Sequence, residues 1–253
     1  MAASPPDRDR APGAVLRAVT WNCHGAVGAD RRCDPARTLA TIARMQPDIL
    51  ALQEVDGRSH LGRRRRAFEF LSAGLTEADG GHIVEARTVR RTDRDYGHLL
   101  WSRWPVVSAT VHALPEPGFE ARAAIEAVLA TPAGRLRVLT FHLGLLPRQR
   151  RAQARFLAER VDAADEPVLA MGDGNDLRLG GSLHTCLAPR LPVHVAPRSF
   201  PGRWPLMRLD RIYASAGFLL AAHRVDAPSG PASDHRAVVA DLAWPDGSPN
   251  VGD

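Results

Sequence analysis

The chain has 253 residues, 45% of them hydrophobic, and a formal net charge of +5. That length and apolar content suit one domain with a substantial core and speak against a chain too polar to fold. No apolar run approaches the ~20 residues of a membrane span, and the three cysteines, Cys23, Cys33 and Cys186, are odd in number and lack metal-ligand spacing, which speaks against a disulfide scaffold or a zinc finger.

Residues 1–13, rich in Pro, Asp and Arg, and the PDGSPNVGD segment at 245–253 read as disordered tails around a single domain over 14–244. The first residues carry no apolar h-region. With unpaired thiols, this predicts a cytoplasmic protein, expected as a monomer. The domain opens with a strand at 14–22. Asp34 then caps a helix whose first position is Pro35 and whose buried face includes Leu39, Ile42 and Ala43. Pro47 ends that helix, and 48–54 is a strand. A second helix is predicted at 62–73, followed by strands near 82–88, 98–103, 106–113, 121–130 and 135–143, with Pro132-Ala133-Gly134 as one hairpin turn. A helix over 148–162 and a strand over 167–173 come next. The stretch 177–207 reads as a long irregular loop, and strands at 208–214, 218–226 and 235–244 finish the domain. Many strands, several in hairpins, with few helices speak against a doubly wound parallel sheet. Two mixed sheets packed face to face with helices outside fit better.

Polar residues stand at the ends of the apolar runs. Asn22, Gln53-Glu54, His142 and Asp173-Gly174-Asn175 close VLRAVTWN, DILALQE, LRVLTFH and PVLAMGDGN, while Asp210 and Asp234-His235 open DRIYAS and DHRAVVADLAW. A nearly continuous apolar run is the mark of a strand buried on both faces. If the opening runs lie antiparallel to the closing runs, these tips meet at one edge of the sheets. Oxygen-rich side chains gathered in that way suit a hard cation such as Mg²⁺, which is held by one or two carboxylates with water and substrate phosphate. An Asp210–His235 pair there would raise the pKa of the imidazole and fix its orientation.

Taken together, TWNCHG, PDILALQEVD, YGHLLWSRWPV, LTFHLG, MGDGND, LDRIYAS and SDHRAVVADL resemble, in order and spacing, the motifs of the endonuclease/exonuclease/phosphatase superfamily of metal-dependent phosphoesterases. The likeness runs from about residue 15 to 243. It implies a four-layer α/β sandwich of two mixed, mainly antiparallel sheets, and hydrolysis of a phosphodiester or phosphomonoester by in-line attack of an activated water. The resemblance makes Glu54 the principal Mg²⁺ ligand, with Asn22 beside it and Asp234 adding a metal or water contact. Mn²⁺ is a possible substitute. Asp173 would orient or deprotonate the water, Asn175 and His142 would bind the scissile phosphate, and His235, held by Asp210, would stabilise the transition state or act as base. Arg122 matches a common family arginine that contacts substrate, as Asn22 also does. Two positions depart from the family pattern. Gly174 replaces a bulky residue between Asp173 and Asn175, which is expected to loosen the turn, and His98 replaces an Asn after Tyr96-Gly97.

The substrate is a phosphate ester whose identity these motifs leave open: nucleic acid, or a lipid-linked or small-molecule phosphodiester. All 33 Lys and Arg residues are arginine, a bias that a GC-rich genome produces unaided and that also suits phosphate recognition. Arg63 to Arg66, the cluster Arg90, Arg91 and Arg94, and the helix face of Arg148, Arg151 and Arg155 are candidate phosphate contacts. Phe200, Trp204, Leu206 and Met207, near Asp210, are candidates for an apolar pocket wall. A non-catalytic phosphate-binding module is the remaining alternative.

Overall fold

In the computed structural model the described residues are 15–91, 94–116 and 120–244, so both expected tails lie outside them. Alternation decides the layers. In β1 (Val15–Asn22), Leu16 and Ala18 face one core, while Val19 and Trp21 face another, as the two-residue period of a strand requires. The chain then passes through α1 (Pro35–Met45) to β2 (Ile49–Asp56). As expected, Asp34 caps α1, its carboxylate accepting the Arg37 N–H at 3.0 Å.

Next come α2 (Ala67–Asp79), β3 (His82–Arg91), β4 (Arg94–Ser102), β5 (Val106–Ala113), β6 (Ala123–Thr131) and β7 (Gly134–His142). After them follow α3 (Pro147–Asp162), β8 (Val168–Asp173), α4 (Ser182–Leu187), β9 (Val193–Val195), β10 (Asp210–Ala214), β11 (Leu219–Val225) and β12 (Val238–Ala243).

The strands form two six-stranded sheets, ordered β11-β12-β1-β2-β4-β3 and β5-β6-β7-β8-β10-β9. Each is centred on a parallel pair, β1 with β2 and β7 with β8, joined through α1 and α3, and every other pairing is antiparallel. The largest core lies between the sheets, where Ile49, Ala51 and Leu100 meet Ile125, Val138 and Met171. A second core seals α1 and α2 onto the first sheet through Ile42, Met45, Phe68 and Leu71. A third seals α3 and α4 onto the second sheet through Leu157, Val161, Leu183 and Leu187. The result is the expected four-layer sandwich.

Three local expectations are corrected. The second helix spans 67–79 rather than 62–73. Arg63 to Arg66 belong to the preceding loop, with Arg66 left-handed at φ 53. The helix runs on through Gly74 because α1 packs close there: a Cβ at Gly74 would lie 2.3 Å from Leu39 Cδ1. Within 177–207 the structure places α4 and β9, elements too short to announce themselves by periodicity. The turn at Gly174 is not loose. Its N–H donates to Leu209 O at 2.9 Å, and the space that a Cβ would take is filled by Leu183, whose Cδ2 would stand 2.6 Å away.

Candidate active site

The antiparallel pairings bring the polar tips to one edge. In register, His142 stands beside Asp173 and Asp210 opposite Asp173 in the second sheet, and Asn22 beside Gln53 in the first. Glu54 is turned into the site by a bulge. The β2–β4 register shifts between Leu52 and Val55, and Glu54 takes φ 53, the left-handed region that carries strain for a side-chain residue. Its neighbour Gln53 is buried and hydrogen-bonds Thr20 at 3.1 Å, so it serves the core.

Asn22 is the link between the sheets. Its Nδ2 donates to Glu54 Oε1 and to Asp173 Oδ2, both at 3.0 Å, while its Oδ1 accepts the His24 N–H at 3.0 Å. Asp173 Oδ1 accepts the backbone N–H of Asn175 at 2.8 Å, and Asn175 Nδ2 donates to Leu143 O at 2.9 Å. Two imidazoles converge on the free side of Asp173 Oδ2: His142 Nε2 at 3.6 Å and His235 Nε2 at 3.9 Å.

Each imidazole is set by a partner behind it. Arg122 Nη1 lies 2.9 Å from His142 Nδ1 and 2.7 Å from the Tyr96 hydroxyl. A guanidinium can only donate, so Nδ1 accepts and neutral His142 carries its proton on Nε2, facing the site. Burial and the Arg122 charge push His142 well below the ordinary histidine range, which keeps it neutral. His235 Nδ1 is 2.8 Å from Asp210 Oδ2, which also accepts from Ser199 Oγ at 2.5 Å. Burial opposes the charge on His235, but the Asp210 carboxylate outweighs it and holds the imidazolium up to a pKa of about 10. Phe200 packs against the same ring at 4.8 Å, and Ser233 Oγ, which bonds Asn22 O at 2.7 Å, accepts the His235 N–H at 3.1 Å.

The acids divide accordingly. Burial and then the Asp210 charge raise Asp173 to about 6. Burial also opposes the charge on Glu54, but the His24 ring 3.5 Å away, the nearby His142 ring and the Asn22 hydrogen bond outweigh it and hold that carboxyl below its ordinary range. Asp173, Asp210 and His235 offer ligand atoms within 4.8 Å of one another. Asp234 lies at the rim with its side chain 43% exposed, and among the described residues its ion partner is His24 Nδ1 at 3.6 Å.

All nine sequence-predicted residues, Asn22, Glu54, Arg122, His142, Asp173, Asn175, Asp210, Asp234 and His235, therefore lie in one connected network. Three others were missed: His24, Tyr96 and Ser199. Tyr96 lay inside the YGH motif, but a lone His or Ser in a loop carries no periodic signal. His98 is buried beneath the site, with Nε2 lacking a hydrogen-bond partner, and burial lowers its pKa to about 4.

The arginine candidates separate. Arg148 is 77% exposed and pairs with Glu116, and Arg63 turns in toward Asp56 at 3.4 Å. By contrast, Arg65 and Arg66 join Arg87, Arg90, Arg91 and Arg94 around a cleft of about 590 Å³ that Glu69 and Asp95 complete. That cleft ends one residue before Tyr96. Near Asp210, Trp204 and Leu206 are exposed, on a loop closed by the Phe200–Met207 bridge.

A sequence profile described as "Endonuclease/Exonuclease/phosphatase family" matches residues 19–235. The protein YbhP of Escherichia coli (strain K12) is 28% identical over 216 residues, covering 78% of this chain and 84% of its own. An endonuclease/exonuclease/phosphatase from Beutenbergia cavernae superposes with a TM-score of 0.73 at 25% identity, covering 94% of this chain and 73% of that one. The human Nocturnin catalytic domain with bound sulfate has the same fold, with a TM-score of 0.70 at 19% identity over 91% of this chain and 94% of that one. A mannosyl-6-phosphatase from Bacteroides thetaiotaomicron does too, at 0.68 and 16%, over 90% of this chain and all of the other.

Proposed function

Because the chain belongs to the endonuclease/exonuclease/phosphatase family, we propose that it is a divalent-metal-dependent phosphoesterase that hydrolyses a phosphodiester by in-line attack of water. The carrying observation is the meeting of Glu54, Asp173, Asp210 and Asp234 with His142 and His235 at one sheet edge. The donor set suits a hard cation. Among the described residues, the ion partners of these four carboxylates are imidazoles, and no guanidinium neutralises any of them. Glu54 and Asp234 would hold the ion, with Asn22 steadying Glu54. Bound Mg²⁺, or Mn²⁺ in its place, supplies polarisation of a phosphoryl oxygen and stabilisation of the leaving oxyanion.

The chain's own groups do the rest. Asp173 Oδ2 holds and accepts a proton from the attacking water. His142 offers its Nε2–H to a phosphate oxygen, and Asn175 stands beside it. His235, charged through Asp210, offers Nε2–H to the oxygen charge that grows in the transition state. A panel of phosphodiesters and phosphomonoesters with Mg²⁺, Mn²⁺ or EDTA tests this. Turnover that EDTA removes, and that is lost in a Glu54→Ala, Asp173→Ala double variant, is expected. Turnover indifferent to EDTA and to the double variant refutes it.

The arginine cleft favours one narrower reading, a nuclease that grips further phosphates of a DNA or RNA strand. Intact single- and double-stranded DNA and RNA after incubation at low salt with Mg²⁺ would leave the small or lipid-linked phosphodiester as substrate.

A further inference from the structure

On the flank where β11 packs over β9, a cavity of about 640 Å³ takes no part in the chemistry above. Five of its nine lining residues are basic: His184 from α4, His194 from β9, His223 from β11, and Arg198 and Arg208 from the loop between β9 and β10. The other four are aliphatic, and no carboxylate is among them.

Elsewhere the surface arginines are matched by acids, as Arg44 is by Asp226, Arg137 by Glu166 and Arg190 by Asp162. Here they are not. Arg208 Nη1 donates to Ala196 O, and His194 Nδ1 meets Pro192 O at 2.9 Å, but among the described residues none of the five has a carboxylate partner. A carbonyl oxygen only accepts, so the His194 proton sits on Nδ1 and Nε2 is left free. His184 Nδ1 is buried with no hydrogen-bond partner. The two rings meet edge to face at 4.9 Å, and Tyr213 stacks under His194 at 5.9 Å, which fixes both in place.

Two guanidiniums without acids exclude a cation as the occupant. The imidazoles do not gather around one either, because among the described residues only Asp173, Asp210 and His235 bring three ligand atoms within 4.8 Å of one another. An anion fits, and the planar fork of arginine matches phosphate oxygens best. The cavity also adjoins the catalytic pair without belonging to it. Arg198 precedes Ser199, which bonds Asp210, and Val195 stands opposite Ile212, two residues from Asp210. The arginine cleft lies at the other flank, at β3 and β4.

We propose that this cavity is a second phosphate site, independent of the metal, in which Arg198 and Arg208 hold a phosphate group between the three imidazoles.

Inorganic phosphate is the probe, titrated into the full-length protein in EDTA at low salt and followed by long-range ¹H–¹⁵N spectra of the histidine rings. The signals of His184, His194 and His223 are expected to shift together along one saturation curve, with no such shift on adding chloride. Arg198→Gln, at an exposed position and checked for folding by circular dichroism, is expected to weaken phosphate binding about tenfold or more. Rings that do not respond, that respond equally to chloride, or that saturate unchanged in Arg198→Gln overturn the site. Kinetics with Mg²⁺ separate the two sources of the phosphate. A KM raised by Arg198→Gln for an oligonucleotide but not for bis-p-nitrophenyl phosphate makes it a phosphate of the substrate strand. A change in wild-type turnover of the small diester on adding phosphate, abolished in Arg198→Gln, makes it a separate ligand acting through Ser199 and Asp210. Because the titration is run without metal, its failure leaves the metal-dependent reading standing, and failure of that reading leaves the titration standing.

Discussion

Asp210 shows what single side chains settle here. It is fully buried, and its Oδ2 receives both His235 and Ser199. Asp210→Asn leaves the imidazole without a charged acceptor, so kcat is expected to fall by about 10²-fold or more with little change in KM, measured by steady-state kinetics. Cys23 makes a separate prediction. Burial raises its thiol to about 12, and its Sγ lies 3.5 Å from Glu54 O. It should resist iodoacetamide in the native protein and react once unfolded, while the less buried Cys33 and Cys186 label first; mass spectrometry of the peptides reads the order. At this scale the acids and two histidines were legible because each is fused to an apolar run. His24 was not, because its place depends on a left-handed turn that the letters CHGA do not announce.

The parallel pairs are the elements on which the geometry depends. Asn22 and Glu54 come from the β1–β2 pair, and His142 and Asp173 from the β7–β8 pair, so each pair delivers two neighbouring tips. Strand spacing within a pair is fixed by close backbone contact. A Cβ at Gly172 would stand 2.0 Å from Phe141 O, one residue from both His142 and Asp173. Gly172→Ala is therefore expected to cost about 1–3 kcal/mol in urea unfolding and to lower kcat by moving Asp173 against His142. The long strands and α1 and α3 were readable from apolar runs, Pro35 and the Asp34 cap. The start of α2, and α4 and β9, were not: Arg63 to Arg66 look helical until Arg66 turns left-handed, and α4 gives only six residues from which to judge a period.

Across the whole molecule, charge is unevenly spread. Arg65 and Arg66 meet Arg90, Arg91 and Arg94 only after α2 folds against the β3–β4 hairpin, so their convergence was invisible in sequence. Arg66, Arg90 and Arg91 are exposed. Changing those three to Gln is expected to weaken binding to an oligonucleotide and to flatten the slope of log affinity against log salt by about 0.7–0.9 per lost phosphate contact, read by fluorescence anisotropy. An unchanged slope would remove the cleft from substrate binding. The sandwich and the meeting of the polar tips at one sheet edge were foreseen, because burial on both faces leaves long apolar signatures. The strand order has a consequence of another kind. β1 pairs with β12, with Val15 opposite Ala243, and Ser233 bonds the backbone of Asn22. On the ribosome, the strand that bears Asn22 must therefore wait, one edge uncovered, until nearly the whole domain has emerged. Only then do Asp234 and His235 arrive, so a nascent chain stalled before residue 233 should remain protease-sensitive and inert.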